Sequence, residues 1–179
     1  MKKGTVVLIV IIAVLAIIVL PAIGAYNNLV ALSEEVETAL SQIDNQLQRR
    51  NDLIPNLVNT VKGYASHEEE IFTSIADARS RLIGAGSLEE KAEASEQLSG
   101  ALSRLLAIAE NYPELKANEN FKQLSDELAG TENRIATARR DYNNAARKYN
   151  TSIRRFPTVI IANLFGFERY KYFEADESA

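Results

Sequence analysis

The sequence contains no cysteine and only one histidine, and these two shortages exclude several kinds of chemistry. Without cysteine there can be no disulfide, no thiolate metal site, no cysteine nucleophile and no acylated lipoprotein cysteine. A G-x-S-x-G nucleophile elbow is missing, and Gly84 and Gly86 lack the lysine and the helix-opening fingerprint of a phosphate-binding loop. The sequence therefore predicts no enzymatic activity, no cofactor and no small-molecule substrate.

The single histidine, His67, is followed by three acidic residues, Glu68, Glu69 and Glu70, which invites a metal-site hypothesis. A di-iron centre in a helical bundle requires two Glu-x-x-His pairs and inward carboxylates from four helices, and one histidine cannot supply them. Acidic residues in the first turn of a helix also interact favourably with the helix dipole. We therefore interpret this cluster as the polar first turn of a helix and predict no metal site.

Clusters of basic residues are also lacking. The net charge is −4, and basic residues are interleaved with acidic ones, so the basic patch of a nucleic-acid-binding protein is missing. Glycine and proline are scarce, tryptophan is absent, and Ala, Leu, Glu, Asn and Arg are abundant, which is typical of long helices. The chain is therefore predicted to be an all-α protein with one main domain and no nucleic-acid partner.

Residues 6–25, VVLIVIIAVLAIIVLPAIGA, form an uninterrupted apolar run. A helix of this length spans about 30 Å, the thickness of the hydrocarbon layer of a membrane. A cleaved signal peptide is the alternative, because Lys2 and Lys3 precede the run and residues 22–24 have the small-x-small form of a cleavage site. The run is long for the apolar region of a signal peptide, so we favour a retained transmembrane anchor.

The charges that flank this run predict its orientation. Lys2 and Lys3 precede the run, whereas the first charges after it are Glu34, Glu35 and Glu37. Because cationic residues stay preferentially on the cytoplasmic side, the N-terminus is predicted inside and the body of the protein outside the cytoplasmic membrane.

Beyond the anchor, apolar residues recur at alternating spacings of three and four, the pattern of amphipathic helices. Ser66 with Glu69 and Ser87 with Glu90 have the form of capping boxes, which predict the starts of the second and third helices. The apolar seams of the first three helices are Leu29, Leu32, Val36, Leu40, Ile43, Leu47, Ile54, Leu57, Val61 and Tyr64; Ile71, Ile75, Ala78 and Leu82; and Leu98, Leu102, Leu105 and Ala109.

A fourth helix is predicted from an N-cap at Asn118 to Phe156, where Pro157 disfavours helical dihedrals. Its coiled-coil-like seam comprises Phe121, Leu124, Leu128, Thr131, Ile135, Ala138, Tyr142, Ala145, Tyr149, Ser152 and Phe156. In the first helix, Pro55 lies in the middle of the pattern and predicts a kink, because it removes a backbone donor.

The first and fourth helices have nearly equal predicted lengths of about 57 Å, and short loops favour antiparallel neighbours. The predicted fold is an N-terminal transmembrane helix followed by a long antiparallel four-helix bundle, with an anchor at 1–25, a bundle at 26–157 and an apolar, aromatic tail at 158–179. If Tyr26 lies level with Phe156, paired residue numbers add to 182, and Arg50 on the first seam lies opposite Glu132. A buried arginine needs an anion, so we expect this pair or a close neighbour such as Asp52.

Four segments resemble the LemA family of bacterial membrane proteins: RRNDLIPNLV at 49–58, GYASHE at 63–68, ENYPELKANENF at 110–121 and GTENRIATARRDYN at 130–143. The likeness covers nearly all of residues 26–173. It implies an N-terminal transmembrane helix and a helical-bundle body in a bacterial cytoplasmic (inner) membrane. It supplies no mechanism and leaves the orientation open.

The tail is the best candidate for an interaction surface. Its apolar side chains lie beyond the proline that ends the fourth helix, so they cannot all join its seam. They can pack on the flank of the bundle, lie in the lipid headgroup layer or contact a second copy. The candidate interaction residues are Ile160, Ile161, Leu164, Phe165 and Phe167, and the candidate structural residues are Arg50, Asp52, Pro55 and Glu132.

Two functions fit these features. The first is a structural or adaptor protein of the cell envelope that self-associates through helix faces and its tail, with membrane lipid and further copies of itself as partners. The second is a tethered sensor or regulatory subunit of another membrane protein, such as a protease or a signalling kinase. A large homo-oligomer in mild detergent would favour the first function, and a monomer with one stoichiometric partner would favour the second.

Overall fold

A computed structural model describes residues 3–173, with side chains described from Gly4 onward, and this part of the chain consists of helices joined by short connections. The helices are α1 (Lys3–Lys62), α2 (Glu69–Gly84), α3 (Leu88–Ala109), α4 (Pro113–Ala117), α5 (Glu119–Ser152) and α6 (Thr158–Phe165). No strand occurs within residues 3–173. The predicted all-α fold with an N-terminal transmembrane helix and a helical bundle is confirmed.

The N-terminal part of α1 is long and apolar enough to cross a membrane. Its most apolar 18-residue window has a mean hydropathy of 3.5, and none of that window is buried against other parts of the chain. The helix continues without interruption past Pro21 and Pro55 as far as Lys62. Lys2 and the side chain of Lys3, on which the predicted orientation depends, lie outside the described residues.

The chain divides into two compact units. The smaller unit contains α1 up to Ala39 and Tyr142–Lys171, which includes the end of α5 and all of α6. The larger unit contains Leu40–Asp141 and the described residues from Tyr172 onward.

In the larger unit, α1, α2, α3 and α5 form a four-helix bundle. The Tyr64 hydroxyl contacts the Asn118 amide at 3.1 Å, and Arg50 contacts Glu132 at 2.8 Å, so residue numbers in both pairs add to 182 and α1 runs antiparallel to α5. The predicted seams of α2 and α3 are buried, because three-four spacing places their apolar side chains on one helix face. The buried apolar side chains in the first four helices of this unit are Ile43, Leu47, Ile54, Leu57, Val61, Ile71, Phe72, Ile75, Ala78, Leu82, Ala94, Leu98, Ala101, Leu102, Leu105, Ala109 and Leu115.

In the smaller unit, the buried side chains lie on α1, on α5 and the turn that follows it, and on α6. They are Leu29, Val36, Tyr142, Ala146, Tyr149, Asn150, Ile153 and Ala162. An ion pair between Lys148 and Glu35 at 2.9 Å also joins α1 to α5. Both side chains of that pair are exposed, so it contributes little stability.

The predicted helix starts are correct for α3 and α5 and wrong for α2. Ser87 forms a complete capping box with Glu90, and the Asn118 side chain accepts a hydrogen bond from the Phe121 N–H at 3.0 Å. The N-cap of α2 is Glu68, with no side-chain hydrogen bond, so Ser66 does not start this helix. Ser66 lies instead in the turns between α1 and α2, where backbone bonds such as Ala65 N–H to Val61 C=O at 2.9 Å form, and α2 begins at Glu69.

The end of the fourth predicted helix also needs correction. The α-helix ends at Ser152, and Phe156 is 82% exposed rather than part of the seam. Ala146 and Ile153 are buried in place of Ala145 and Ser152. A strict three-four pattern averages 3.5 residues per turn whereas a straight helix has about 3.6, so the buried face drifts along a long helix.

Candidate functional site

Arg50 is the largest fully buried side chain of the described chain, with 0% of its surface exposed. It lies on the apolar seam of α1, between Leu47 and Ile54, both of which are buried. A charged group in such surroundings is stable only when it is paired and hydrogen-bonded. The neighbouring helices therefore have to provide its partners.

Four of the five N–H donors of the Arg50 guanidinium have partners on α3 or α5. Nη1 donates to Glu132 Oε2 at 2.8 Å and to Ser99 Oγ at 2.9 Å. Nη2 donates to Ser95 Oγ at 2.8 Å and to the Ser95 carbonyl oxygen at 3.2 Å. The fifth donor, on Nε, is buried without a protein acceptor. The arginine thus connects three helices, and we call these four residues the Arg50 cluster.

The two charges of the Arg50 cluster are in different environments. Arg50 is excluded from water, whereas the Glu132 side chain is 49% exposed. Burial lowers the pKa of the Arg50 guanidinium, the attraction of Glu132 acts in the opposite direction, and Arg139 adds a smaller repulsion. Because the ordinary pKa of arginine is far above neutrality, Arg50 remains cationic. The cluster is a structural ion pair with one solvated partner.

The structure places the other two structural candidates outside the Arg50 cluster. Asp52 is exposed, and the Arg50 guanidinium donates to residues of α3 and α5 instead. Pro55 is half-buried within the uninterrupted helix α1. Sequence reasoning missed Ser95 and Ser99, although two serines four residues apart beside the apolar face of α3 were a usable signal.

The tail divides into an exposed part and a packed part. Ile160, Leu164 and Phe165 on α6 are exposed, Ile161 and Phe167 are half-buried, and Ala162 is buried. The rings of Phe165 and Phe167 lie against the ring of Tyr26, with centroid distances of 4.9 and 5.6 Å. The Phe173 ring is buried beneath the Arg139 guanidinium at 4.5 Å.

Tyr170 fixes the segment after α6 to the helices of the smaller unit. The buried Asn150 side chain donates to the Tyr170 carbonyl at 2.8 Å and accepts from the Tyr170 N–H at 3.0 Å. The Tyr170 hydroxyl contacts Ser33 at 2.9 Å and donates to Glu37 at 3.2 Å, and burial raises its pKa. Its ring packs edge-to-face on Tyr149 at 5.0 Å. Sequence reasoning did not single out Asn150, because an asparagine near a helix end usually faces solvent.

His67 and its acidic neighbours lie at the start of α2. His67 is exposed in the turn before α2, and Glu69 and Glu70 occupy the first turn of that helix. Within residues 3–173 no group of three acidic or histidine side chains is arranged to hold a metal ion.

An uncovered apolar span, an all-helical body and a buried arginine with ligands from two further helices define a single-pass, helical-bundle membrane protein. The model of the LemA family matches residues 39–179, and the chain belongs to this family.

The chain is also similar to curated proteins along most of its length. Magnetosome protein MamQ 2 of Paramagnetospirillum magneticum is 31% identical, over 96% of this chain and 74% of that protein. Magnetosome protein MamQ of Magnetospirillum gryphiswaldense is 29% identical, over 97% and 74%. Protein LemA of Metamycoplasma hominis is 27% identical, over 87% and 71%. Neither the family description nor these names denote an enzyme.

Proposed function

We propose that this protein is a structural or adaptor protein of the bacterial cell envelope, which self-associates in the membrane and acts by binding rather than by catalysis. The observation that carries this proposal is the distribution of exposed apolar side chains. Among the described residues most of them lie along or just after the span of α1, and a second group consists of Phe156, Ile160, Leu164 and Phe165, while Tyr64, Ile83 and Tyr172 are exposed elsewhere. The bundle core, by contrast, is filled by the chain's own side chains.

The span supports self-association because the chain covers none of its most apolar window. In a bilayer, such a helix contacts acyl chains or packs against the spans of other proteins, and identical copies are present wherever the protein is. The relatives of Paramagnetospirillum magneticum and Magnetospirillum gryphiswaldense are named magnetosome proteins, and we take these names as support for a structural role.

The test of this function is the mass of the intact protein in mild detergent, measured by light scattering after crosslinking in whole cells. We expect a homo-oligomer of the full-length chain. A monomer recovered with one stoichiometric membrane protein would contradict this and support the regulatory-subunit alternative. A matched control replaces residues 6–25 with an unrelated polyleucine span, which retains anchoring but removes the native span surface, and it should be monomeric.

The orientation of the protein gives a separate prediction. We propose that the bundle lies outside the cytoplasmic membrane, because Lys2 and Lys3 precede the span and three acidic residues follow it. The chain has no cysteine, so Asn120→Cys at an exposed position introduces a single label site. An impermeant maleimide should label it in cells with a permeabilised outer envelope. Labelling only after the cytoplasmic membrane is dissolved would contradict this prediction and mean that the bundle lies on the cytoplasmic side.

A further inference from the structure

The four side chains Phe156, Ile160, Leu164 and Phe165, which we call the α6 patch, are largely exposed, although one side of the Phe165 ring contacts Tyr26. Leu164 is 73% exposed, Phe165 58% and Ile160 56%. Residues 158–165 contain no charged side chain, and the buried Ala162 shows that the opposite side of α6 packs inward. A short, uncharged helix with one apolar face outward has the form of an element that lies on a membrane surface.

The position of α6 identifies the membrane involved. Tyr26 is the first residue after the apolar run of α1, and its ring contacts the rings of Phe165 and Phe167. These contacts hold the end of α6 beside the point at which α1 leaves the hydrocarbon layer. Tyrosine concentrates at this level of a bilayer, because it combines an apolar ring with a polar hydroxyl, and the two phenylalanine rings pack against it.

The charges next to the α6 patch favour acidic lipid headgroups. Arg154 and Arg155 immediately precede the patch, and Arg169 and Lys171 follow it, against a single acid in the same stretch, Glu168. All five are exposed.

The area of the α6 patch also favours lipid over a second copy. A stable protein interface buries about 800 Å² on each partner, and the four partly exposed apolar side chains of the patch provide less than that. Lipid is therefore a better match than a second copy.

We propose that the α6 patch lies in the headgroup–acyl boundary of the membrane that α1 crosses, and that Arg154 and Arg155 bind acidic lipid headgroups there. This contact would make α6 a second membrane attachment, formed by the C-terminal end of the chain. It does not depend on self-association.

The test uses the absence of tryptophan from the chain. Leu164→Trp is introduced into the full-length protein, which is then reconstituted into lipid nanodiscs that carry one copy each. The lipids are phosphatidylcholine and phosphatidylglycerol with brominated acyl chains, which quench nearby tryptophan. We expect a blue-shifted emission and quenching at least about threefold stronger than for Ile83→Trp, a similarly exposed apolar position at the end of α2.

Two results would overturn the contact with lipid. Emission at the wavelength of tryptophan in water, without bromine quenching, would mean that the patch is hydrated. A blue shift without bromine quenching, present only in discs with two or more copies, would assign the patch to a second copy. If Leu164→Trp fails to fold by circular dichroism, Ile160→Trp on the same face replaces it.

The headgroup part of the proposal has its own measurement. Quenching should weaken when phosphatidylglycerol is omitted, and the double variant Arg154→Gln/Arg155→Gln should remove this lipid dependence. Equal quenching in both lipids would overturn the role of the two arginines. Because each disc carries one copy, failure here is distinguishable from failure of the self-association measured in detergent.

Discussion

Glu132→Ala is expected to lower the free energy of unfolding by about 3 kcal/mol, near the lower end of the range for breaking a buried ion pair. The substitution leaves the Arg50 cation in a fully buried position with only serine oxygens as acceptors. We expect a loss near the lower end of this range because water reaches the Glu132 carboxylate and already screens the ion pair. Thermal and urea unfolding followed by circular dichroism in mild detergent would measure the loss.

Glu127→Ala is the matched control for this substitution. Glu127 is also on α5 and approaches Arg49 at 3.9 Å, but both side chains are exposed, so its removal should cost no more than about 0.5 kcal/mol. Arg50→Met should cost less than Glu132→Ala, because methionine fits an apolar seam while Glu132 can turn to water. Equal losses for Glu127→Ala and Glu132→Ala would contradict the importance of the buried charge.

Asn150→Ala is expected to lower the free energy of unfolding by about 2 kcal/mol, since it removes two hydrogen bonds worth about 1 kcal/mol each. Both bonds go to the backbone of Tyr170, and the Asn150 side chain is buried. Without them, the segment after α6 retains only the bond from the Tyr142 hydroxyl to the Lys171 carbonyl and the Tyr149 ring contact as its links to α5. The amide hydrogens of residues 167–173 should therefore exchange faster in Asn150→Ala than in the parent protein, with no change in the bundle core, which hydrogen exchange with mass spectrometry can detect.

Asn144→Ala provides the comparison for this second substitution. Asn144 is exposed on the same helix and accepts a bond from Arg147 at 2.8 Å, so its loss should change stability by less than about 0.5 kcal/mol. Unchanged exchange at residues 167–173 in Asn150→Ala would mean that the Tyr149 and Tyr26 ring contacts suffice to hold the segment.

Periodicity was sufficient to predict the helices and most of the core. Side chains at three-four spacing share one helix face, so the seams of α2 and α3 could be read from the sequence. The pairing of Arg50 with Glu132 was predicted from two nearly equal helix lengths and from the assumption that Tyr26 lies level with Phe156. This prediction needed no side-chain detail, because antiparallel helices keep a constant sum of paired residue numbers.

Other features depend on information that periodicity does not contain. The buried face of α5 shifts to Ala146 and Ile153 because the helix repeat differs slightly from 3.5 residues. Ser66 has the spacing of a capping box, but the backbone bonds of the preceding turn determine where α2 begins. The contact between Asn150 and Tyr170 joins a helix to an irregular segment, and its geometry cannot be obtained from spacing.

The Arg50 cluster has a consequence for how the larger unit assembles. Its ligands are 45 to 82 residues away in the chain, on α3 and α5. A partly assembled bundle that contains only α1 and α3 would bury the cation without its carboxylate. Such intermediates are raised in free energy relative to the complete bundle. The arginine should therefore make assembly of α1, α3 and α5 cooperative, with few partly docked species on the pathway.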